Sequence, residues 1–268
     1  MALKDITLGQ YFPGNSFIHQ LDPRTKLLFT VLYIVALFSA KRLPSYLLLM
    51  AVLTVCIQIS RVRLKTILRG MKPILFIIVL TAILNLFYTP GDPIWQWKFL
   101  KITVEGIWAA IYMVLRISML ITCTFLLTYT TSPILLTDGL EKLLGPLKKL
   151  RVPVHELSMM MSIALRFIPT LIEETDKIMS AQKARGADFD TGNLFQKARA
   201  LVPLLVPLFI SAFRRADELA IAMECRCYHG GEGRTRLRQL IFVRRDYLAL
   251  AGSLFMVAAV YVLRYLGW

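Results

Sequence analysis

The chain has 268 residues, of which 56% are apolar, and it carries a formal net charge of +15 at pH 7. This apolar share exceeds the roughly one half found in ordinary soluble domains and favours a membrane protein. In a soluble chain the positive charge would indicate nucleic-acid binding, but a bilayer protein carries the same excess in its cytoplasmic loops. Four cysteines, two of them within apolar runs, do not form the pattern of a secreted disulfide framework.

Five apolar runs predict membrane-spanning helices and therefore an all-α, polytopic membrane protein. A bilayer core of about 30 Å requires roughly 20 helical residues, so the first two runs need flanking side chains such as Lys26 and Arg42 to reach the interface. The link at 41–44 contains Pro44 and predicts a tight turn between antiparallel helices. The five predicted spans are residues 27–40, 45–60, 73–88, 107–129 and 247–266.

The distribution of Lys and Arg predicts the orientation of these helices. Five basic residues lie within 61–72 and eighteen within 131–245, whereas the loop 91–100 contains only Lys98. The chain is therefore predicted to cross the plasma membrane several times. The positive-inside tendency places its N-terminus and the long basic stretch in the cytoplasm. The predicted organisation is N-terminal transmembrane helices at 1–130, a cytoplasmic or interfacial region at 131–245 and a C-terminal transmembrane helix at 246–268.

The region 131–245 is too polar for lipid and too apolar for a loop, and its periodicity predicts three helices at 133–150, 154–186 and 194–228. Pro146 is expected to kink or end the first of them. The third contains the apolar run 200–213, which is short for a span and includes two prolines. We predict a kinked interfacial helix there, and a re-entrant or spanning segment remains the alternative.

The second and third of these helices both end in a lone arginine between small side chains. Small neighbours allow a helix end to approach another backbone closely, and a guanidinium can then pair with a carboxylate in a groove. The alternative is that each arginine only complements the negative end of the helix dipole, with Gly186 and Gly230 as helix terminators. The candidate docking residues are Ala184, Arg185 and Gly186 at the first end and Cys225, Arg226 and Cys227 at the second.

Three further segments accompany the two helix ends: Asp-Pro-Arg-Thr-Lys-Leu at 22–27, Ala-Met-Glu at 222–224 and Gly-Glu-Gly-Arg-Thr-Arg at 231–236. In this order, and placed in this way among the apolar runs, they resemble the transmembrane T component of energy-coupling factor (ECF) transporters, EcfT. The resemblance extends over nearly the whole chain. The second helix end departs from the pattern, because Cys225 and Cys227 stand where alanine or glycine is common.

The resemblance implies a coupling subunit of an ABC-type uptake transporter. Long cytoplasmic coupling helices would place Arg185 and Arg226 in grooves of two ABC ATPase subunits, which are EcfA-like. The apolar faces of the same helices would hold a separate substrate-binding membrane subunit, the S component, for the import of a vitamin or another micronutrient. Cysteine is also small, so docking is expected to survive the departure at the second helix end.

The alternatives to a coupling subunit are an intramembrane enzyme and a self-contained membrane carrier. All three histidines fall in predicted cytoplasmic segments, and Cys225 and Cys227 would point about 200° apart on a continuing helix, which disfavours a metal site with His229. A carrier needs ionisable residues along its path, but Glu105 and Arg116 lie about 16 Å apart on one helix. Arg116 is expected to pair within the bundle or with a partner subunit.

No phosphate-binding Gly-x-x-x-x-Gly-Lys-Ser/Thr sequence occurs in the chain. We therefore expect no catalytic residues, no metal and no cofactor in this chain, and ATP would be handled by other subunits. Nucleic acid is not an expected partner, because the basic residues follow the predicted membrane topology.

Overall fold

A computed structural model describes residues 11–90, 93–97, 100–187, 189, 193–230 and 239–266 of the chain. The described residues are mostly helical, as the sequence predicts. A short antiparallel pair of strands separates the third and fourth helices, where we expected a loop. The elements are α1 (Pro23–Ser39), α2 (Leu43–Ser60), α3 (Leu64–Tyr88), β1 (Pro93–Trp97), β2 (Leu100–Thr103), α4 (Val104–Thr130), α5 (Pro133–Leu143), a 3-10 turn (Gly145–Leu150), α6 (Val154–Ala184), α7 (Leu194–Glu224) and α8 (Arg244–Tyr265).

Four helices in the described part of the chain, α2, α3, α4 and α8, are long and apolar enough to cross a membrane. The first predicted span corresponds to α1, which has 17 residues and is shorter than these four. Tyr33, Ala36 and Leu37 of α1 are fully buried in a core shared with α2, α4 and α8. One face of this short helix is therefore covered by protein.

Helix α3 begins nine residues before the predicted span at 73–88. The basic segment 61–72 was predicted to be a loop between two spans, but most of it is helical and Pro73 lies inside α3. Ile67 is only 2% exposed, so the segment before the proline also buries an apolar side chain. Lys65, Arg69 and Lys72 consequently lie on the first turns of a helix.

The segment 22–27 joins the start of α1 to the start of α8. The Asp22 carboxylate accepts a hydrogen bond from the backbone N–H of Arg24 at 2.9 Å and pairs with the guanidinium of the same residue. The backbone N–H of Asp22 donates to Asp246 Oδ1 at 2.8 Å, and Asp246 is 2% exposed. The segment 22–27, one of those that carry the family resemblance, therefore forms a structural junction between α1 and α8. Asp246 takes part in this junction and was not predicted from the sequence.

Arg116 pairs within the helical bundle, which confirms one of the two predicted alternatives. Its Nη2 donates to the hydroxyl of Tyr46 at 2.7 Å, and its Nε donates to the same oxygen at 3.1 Å. Tyr46 is 1% exposed. The contact links α4 to α2 and provides the Arg116 guanidinium with a hydrogen-bond acceptor within the apolar bundle.

The described residues divide into two compact units, one within 11–142 and 240–266 and the other within 143–239. Helix α5 belongs to the first unit, where a Cβ on Gly139 would lie 2.9 Å from the Cβ of Pro23 in α1. The division predicted from the sequence, at 130 and 245, concerns placement relative to a membrane and stays a prediction.

The three helices predicted within 131–245 are all present. The first of them, predicted at 133–150, ends as α5 at Leu143, before a 3-10 turn that contains Pro146. Helix α7 runs without interruption through Pro203 and Pro207 as a single element of 31 residues. The quoted segment 231–236 lies outside the described residues.

Candidate docking site at two helix ends

The C-terminal end of α6 is closed by backbone hydrogen bonds around a residue in the left-handed region. Gly186 has φ +87°. Its N–H donates to the carbonyl of Lys183 at 3.0 Å, and the N–H of Ala187 donates to the carbonyl of Gln182 at 3.0 Å. These two bonds form a Schellman motif, which ends the helix sharply. Arg185 is the last residue before the left-handed position.

The end of α7 has the same hydrogen-bond pattern. The N–H of Cys227 donates to the carbonyl of Glu224 at 2.8 Å, and the N–H of Tyr228 donates to the carbonyl of Met223 at 3.0 Å. Cys227, with φ +54°, occupies the position that Gly186 has in α6. Arg226 is thus structurally equivalent to Arg185. Gly230 was predicted to terminate this helix, but it lies three residues beyond the left-handed position.

Both arginines are exposed. Neither guanidinium forms a hydrogen bond or an ion pair with another residue in the described part of the chain. A Cβ built on Gly186 would meet no atom within 4 Å. Cys225 and Cys227 are also exposed and free of disulfides. Each helix end therefore presents an unpaired cation surrounded by small side chains, with room for a partner to approach.

Helices α6 and α7 pack antiparallel, which separates the two ends. Arg215 of α7 pairs with Glu174 of α6 at 2.8 Å, and Gln182 Nε2 donates to the carbonyl of Pro203 at 3.4 Å. Arg226 shares a cavity with Arg166, which precedes Arg185 by nineteen residues on α6. At 1.5 Å per residue the two helix ends are roughly 30 Å apart.

The end of α7 borders a cavity of about 650 Å³ within the second unit. Arg166 and Arg226 both line it, so two cations face the same space. Met159 and Met223 form part of its wall, and neighbouring Met160 is 54% exposed. Flexible thioether side chains of this kind adapt to irregular surfaces, which favours the interpretation of these methionines as contact surface over the alternative of core filling. Arg166 was not predicted, because its position beside Arg226 follows only from the packing of α6 on α7.

Helix α7 also carries an uncovered apolar stripe. Leu204 is buried at 6% exposure on one side of the helix. At 100° per residue, seven large apolar side chains occupy about half of the circumference on the other side, and each is between 43% and 68% exposed. Contiguous apolar surface of this kind marks an interaction site with a protein or with lipid. The stripe consists of Leu201, Val202, Leu205, Val206, Phe209, Ile210 and Phe213.

Among the described residues, no group of three histidine, cysteine or acidic side chains is placed to hold a metal ion. The second unit presents two cationic helix ends, one of them beside a cavity, and an apolar stripe.

Comparison with known proteins shows similarity over nearly the whole chain. A family model described as cobalt transport protein, CbiQ, matches residues 14–237. A protein of Clostridium kluyveri is 56% identical over 257 residues, which cover 95% of each chain. A protein of Ruminiclostridium cellulolyticum is 53% identical over 263 residues and 98% of each chain, and one of Bacillus subtilis is 47% identical over 263 residues, 98% of this chain and 99% of its own. All three relatives are named energy-coupling factor transporter transmembrane protein EcfT.

Proposed function

Since this chain belongs to the EcfT family of energy-coupling factor transporter transmembrane proteins, we propose that it couples two ABC ATPase subunits to a substrate-binding S component. In this role it transmits ATP-driven motion from the cytoplasm to the membrane and supports the import of a vitamin or another micronutrient. The chain itself binds and hydrolyses no ATP, since its sequence has no phosphate-binding loop. It works in the plasma membrane with its N-terminus in the cytoplasm.

The observation that carries the proposal is the equivalence of Arg185 and Arg226. Two helices of one unit end in the same Schellman geometry, and each presents an exposed guanidinium without a partner among the described residues. A helix cap alone does not require this equivalence, because a cation complements the dipole from any position in the last turn. A pair of similar acceptor grooves on two ATPase subunits does require it.

The separation of roughly 30 Å between the ends supports one subunit at each arginine. Each guanidinium is suited to a bidentate pair with a carboxylate in the groove that receives it. Arg166, which lines the same cavity as Arg226, adds a second cation at the end of α7. We propose that it strengthens docking at that end.

The apolar stripe on α7 supports a second contact of different chemistry. Its exposed leucine, valine and phenylalanine side chains suit the apolar surface of another membrane protein. We assign the stripe to the S component. The two kinds of surface on one helix would let motion at the cationic end move the subunit that rests on the apolar side.

The proposal is tested by substituting both arginines in the assembled transporter. Arg185→Glu with Arg226→Glu places like charges against the acceptor carboxylates, and losing one member of a desolvated pair costs about 2 to 5 kcal/mol. We expect the double variant to insert normally but to retain no ATPase on affinity purification and to drive no uptake. Arg→Lys keeps the charge and loses the planar fork, so its defect should be intermediate.

Arg214→Glu is the matched control, because Arg214 is exposed on α7 and lies away from the helix end. It should retain both ATPases. Full retention with normal uptake in the double variant would show that the arginines only cap their helices and would overturn the docking role.

A further inference from the structure

An apolar cavity of about 510 Å³ lies in the helical bundle, far in sequence from the docking residues. It is at the end of the bundle where α1 and α8 begin and where α2 and α4 end, and its wall includes Phe29, Val55, Ile59 and Leu126. The volume is within the roughly 300–1,000 Å³ typical of ligand sites. Water does not fill so apolar a space favourably, since a buried water needs two to four polar partners.

Two polar residues on the wall, Lys26 and Thr25, differ in whether their hydrogen-bond donors are already paired. Lys26 is engaged, because its Nζ donates to the carbonyls of Thr130 at 2.9 Å and His19 at 3.2 Å and to Thr131 Oγ1 at 3.2 Å. Thr25 is fully buried, and its Oγ1 has no hydrogen-bond partner among the described residues. Buried hydroxyls are normally paired, so Thr25 indicates a ligand oxygen at this wall.

A second cavity, of about 470 Å³, adjoins the first and shares Phe17 and Ile59 with it. The rest of its wall is polar and consists of Asn15, Ser16, Gln58 and Arg61. Arg61 is exposed, and its guanidinium forms no hydrogen bond or ion pair with another described residue. An apolar cavity thus adjoins one whose wall carries polar side chains and an unpaired guanidinium.

We propose that the two cavities together bind one anionic phospholipid. An acyl chain occupies the apolar cavity, an ester oxygen accepts the hydrogen bond of Thr25, and the phosphate pairs with Arg61. The occupant is a bilayer lipid because three of the helices that form the apolar wall, α2, α4 and α8, have membrane-spanning composition, and hydrocarbon surrounds such helices. An anionic headgroup is favoured because this end of the bundle carries the basic cluster at 61–72, which the positive-inside tendency assigns to the anionic cytoplasmic leaflet.

The site is separate from the proposed coupling role, which resides in α6 and α7. Its loss would change lipid binding without removing a residue from the ATPase-docking ends. The two proposals can therefore fail independently.

Native mass spectrometry of the full-length chain in mild detergent tests the proposal, with equal amounts of phosphatidylglycerol and phosphatidylethanolamine as probes. We expect one saturable lipid per chain and at least a tenfold preference for phosphatidylglycerol. Arg61→Gln should bring that preference close to one. Lys65→Gln should leave it unchanged, because Lys65 is also exposed and basic but lies four positions away, on the first turn of α3.

A second variant blocks the acyl chain. Gly252 lies in the wall of the apolar cavity, and a Cβ built there meets no atom within 4 Å, so Gly252→Phe fills space without a clash at its Cβ. It should lower the occupancy of both lipids at least fivefold, whereas Leu47→Phe, at an exposed position of α2 outside the wall, should not.

Two results would overturn the site. One is an unsaturable series of adducts with no headgroup preference in the unmodified chain, which would indicate surface lipid only. The other is an unchanged preference in Arg61→Gln. Since Arg61 is an exposed residue of a turn, this variant gives a result even if Gly252→Phe fails to fold.

Discussion

Cys227, at the end of α7, has a backbone conformation that a glycine has at the equivalent position of α6. A side chain in the left-handed region brings Cβ close to the following carbonyl and costs roughly 1–2 kcal/mol. Gly186 avoids this cost, and Cys227, with φ +54°, does not. The end of α7 should therefore open more readily than the end of α6.

Gly186→Ala should weaken the end of α6 by about 1 kcal/mol, which corresponds to roughly fivefold faster amide exchange. The cause is backbone strain alone, because a Cβ at this position has open space around it. Hydrogen–deuterium exchange of peptides from 181–187 measures the effect. Cys227→Gly should slow exchange at 223–228 by a similar factor.

Gly145→Ala is the control for this pair. A Cβ on Gly145 also meets no atom within 4 Å, and its φ is not in the left-handed region. It should leave exchange at both helix ends unchanged. Equal exchange in Gly186→Ala and the unmodified chain would mean that the left-handed conformation does not limit the stability of that end.

Among the helices, α4 and α2 are joined by a cation inside apolar surroundings. Arg116 is bound by the hydroxyl of Tyr46, and the ring of Tyr46 stacks on that of Tyr112 with centroids 5.2 Å apart. An arginine within a bundle is tolerated when its donors are satisfied. The contact is therefore a requirement for packing these two helices together.

Tyr46→Phe removes the acceptor and leaves the guanidinium short of a partner, which should cost about 1–3 kcal/mol of stability. Thermal unfolding of the detergent-solubilised chain provides the measurement. Replacing both residues, Tyr46→Phe with Arg116→Met, should cost less than Tyr46→Phe alone, because no cation is left unpaired.

Tyr112→Phe serves as the control, since it removes a hydroxyl from a ring packed against the same site without touching Arg116. It should have little effect. A Tyr46→Phe variant as stable as the unmodified chain would show that the hydrogen bond contributes nothing to the bundle.

For the whole molecule, the orientation in the membrane decides on which side the two cationic helix ends lie. We expect position 92 to face outward and position 192 to face the cytoplasm, because the basic residues cluster in 61–72 and 131–245. Single cysteines, Asp92→Cys or Gly192→Cys, in a chain without its four native cysteines should react with an impermeant reagent from opposite sides of the membrane. Reaction of both from outside would contradict the orientation and the docking role with it.

Hydropathy and helical periodicity were sufficient to predict the class and most of the helices. The predicted helix at 194–228 corresponds to α7, because an amphipathic pattern over thirty residues determines a helix whatever it packs on. The start of α3 was missed, because five basic residues in 61–72 indicated a loop, whereas the burial of Ile67 depends on tertiary packing. The two arginine-bearing ends were found because they are local in sequence.

The sequence by itself determined a helical membrane protein of the EcfT type with arginines at two helix ends, since composition, periodicity and short motifs are properties of neighbouring residues. Only the tertiary structure decided what depends on distant residues. It assigned Cys227 the left-handed position, brought Asp246 to Asp22 across more than two hundred residues, and placed Arg166 beside Arg226. It also placed the two arginines at opposite ends of the antiparallel pair α6 and α7, and it placed Thr25 on the wall of an apolar cavity. Both results depend on how helices pack, which no single segment encodes.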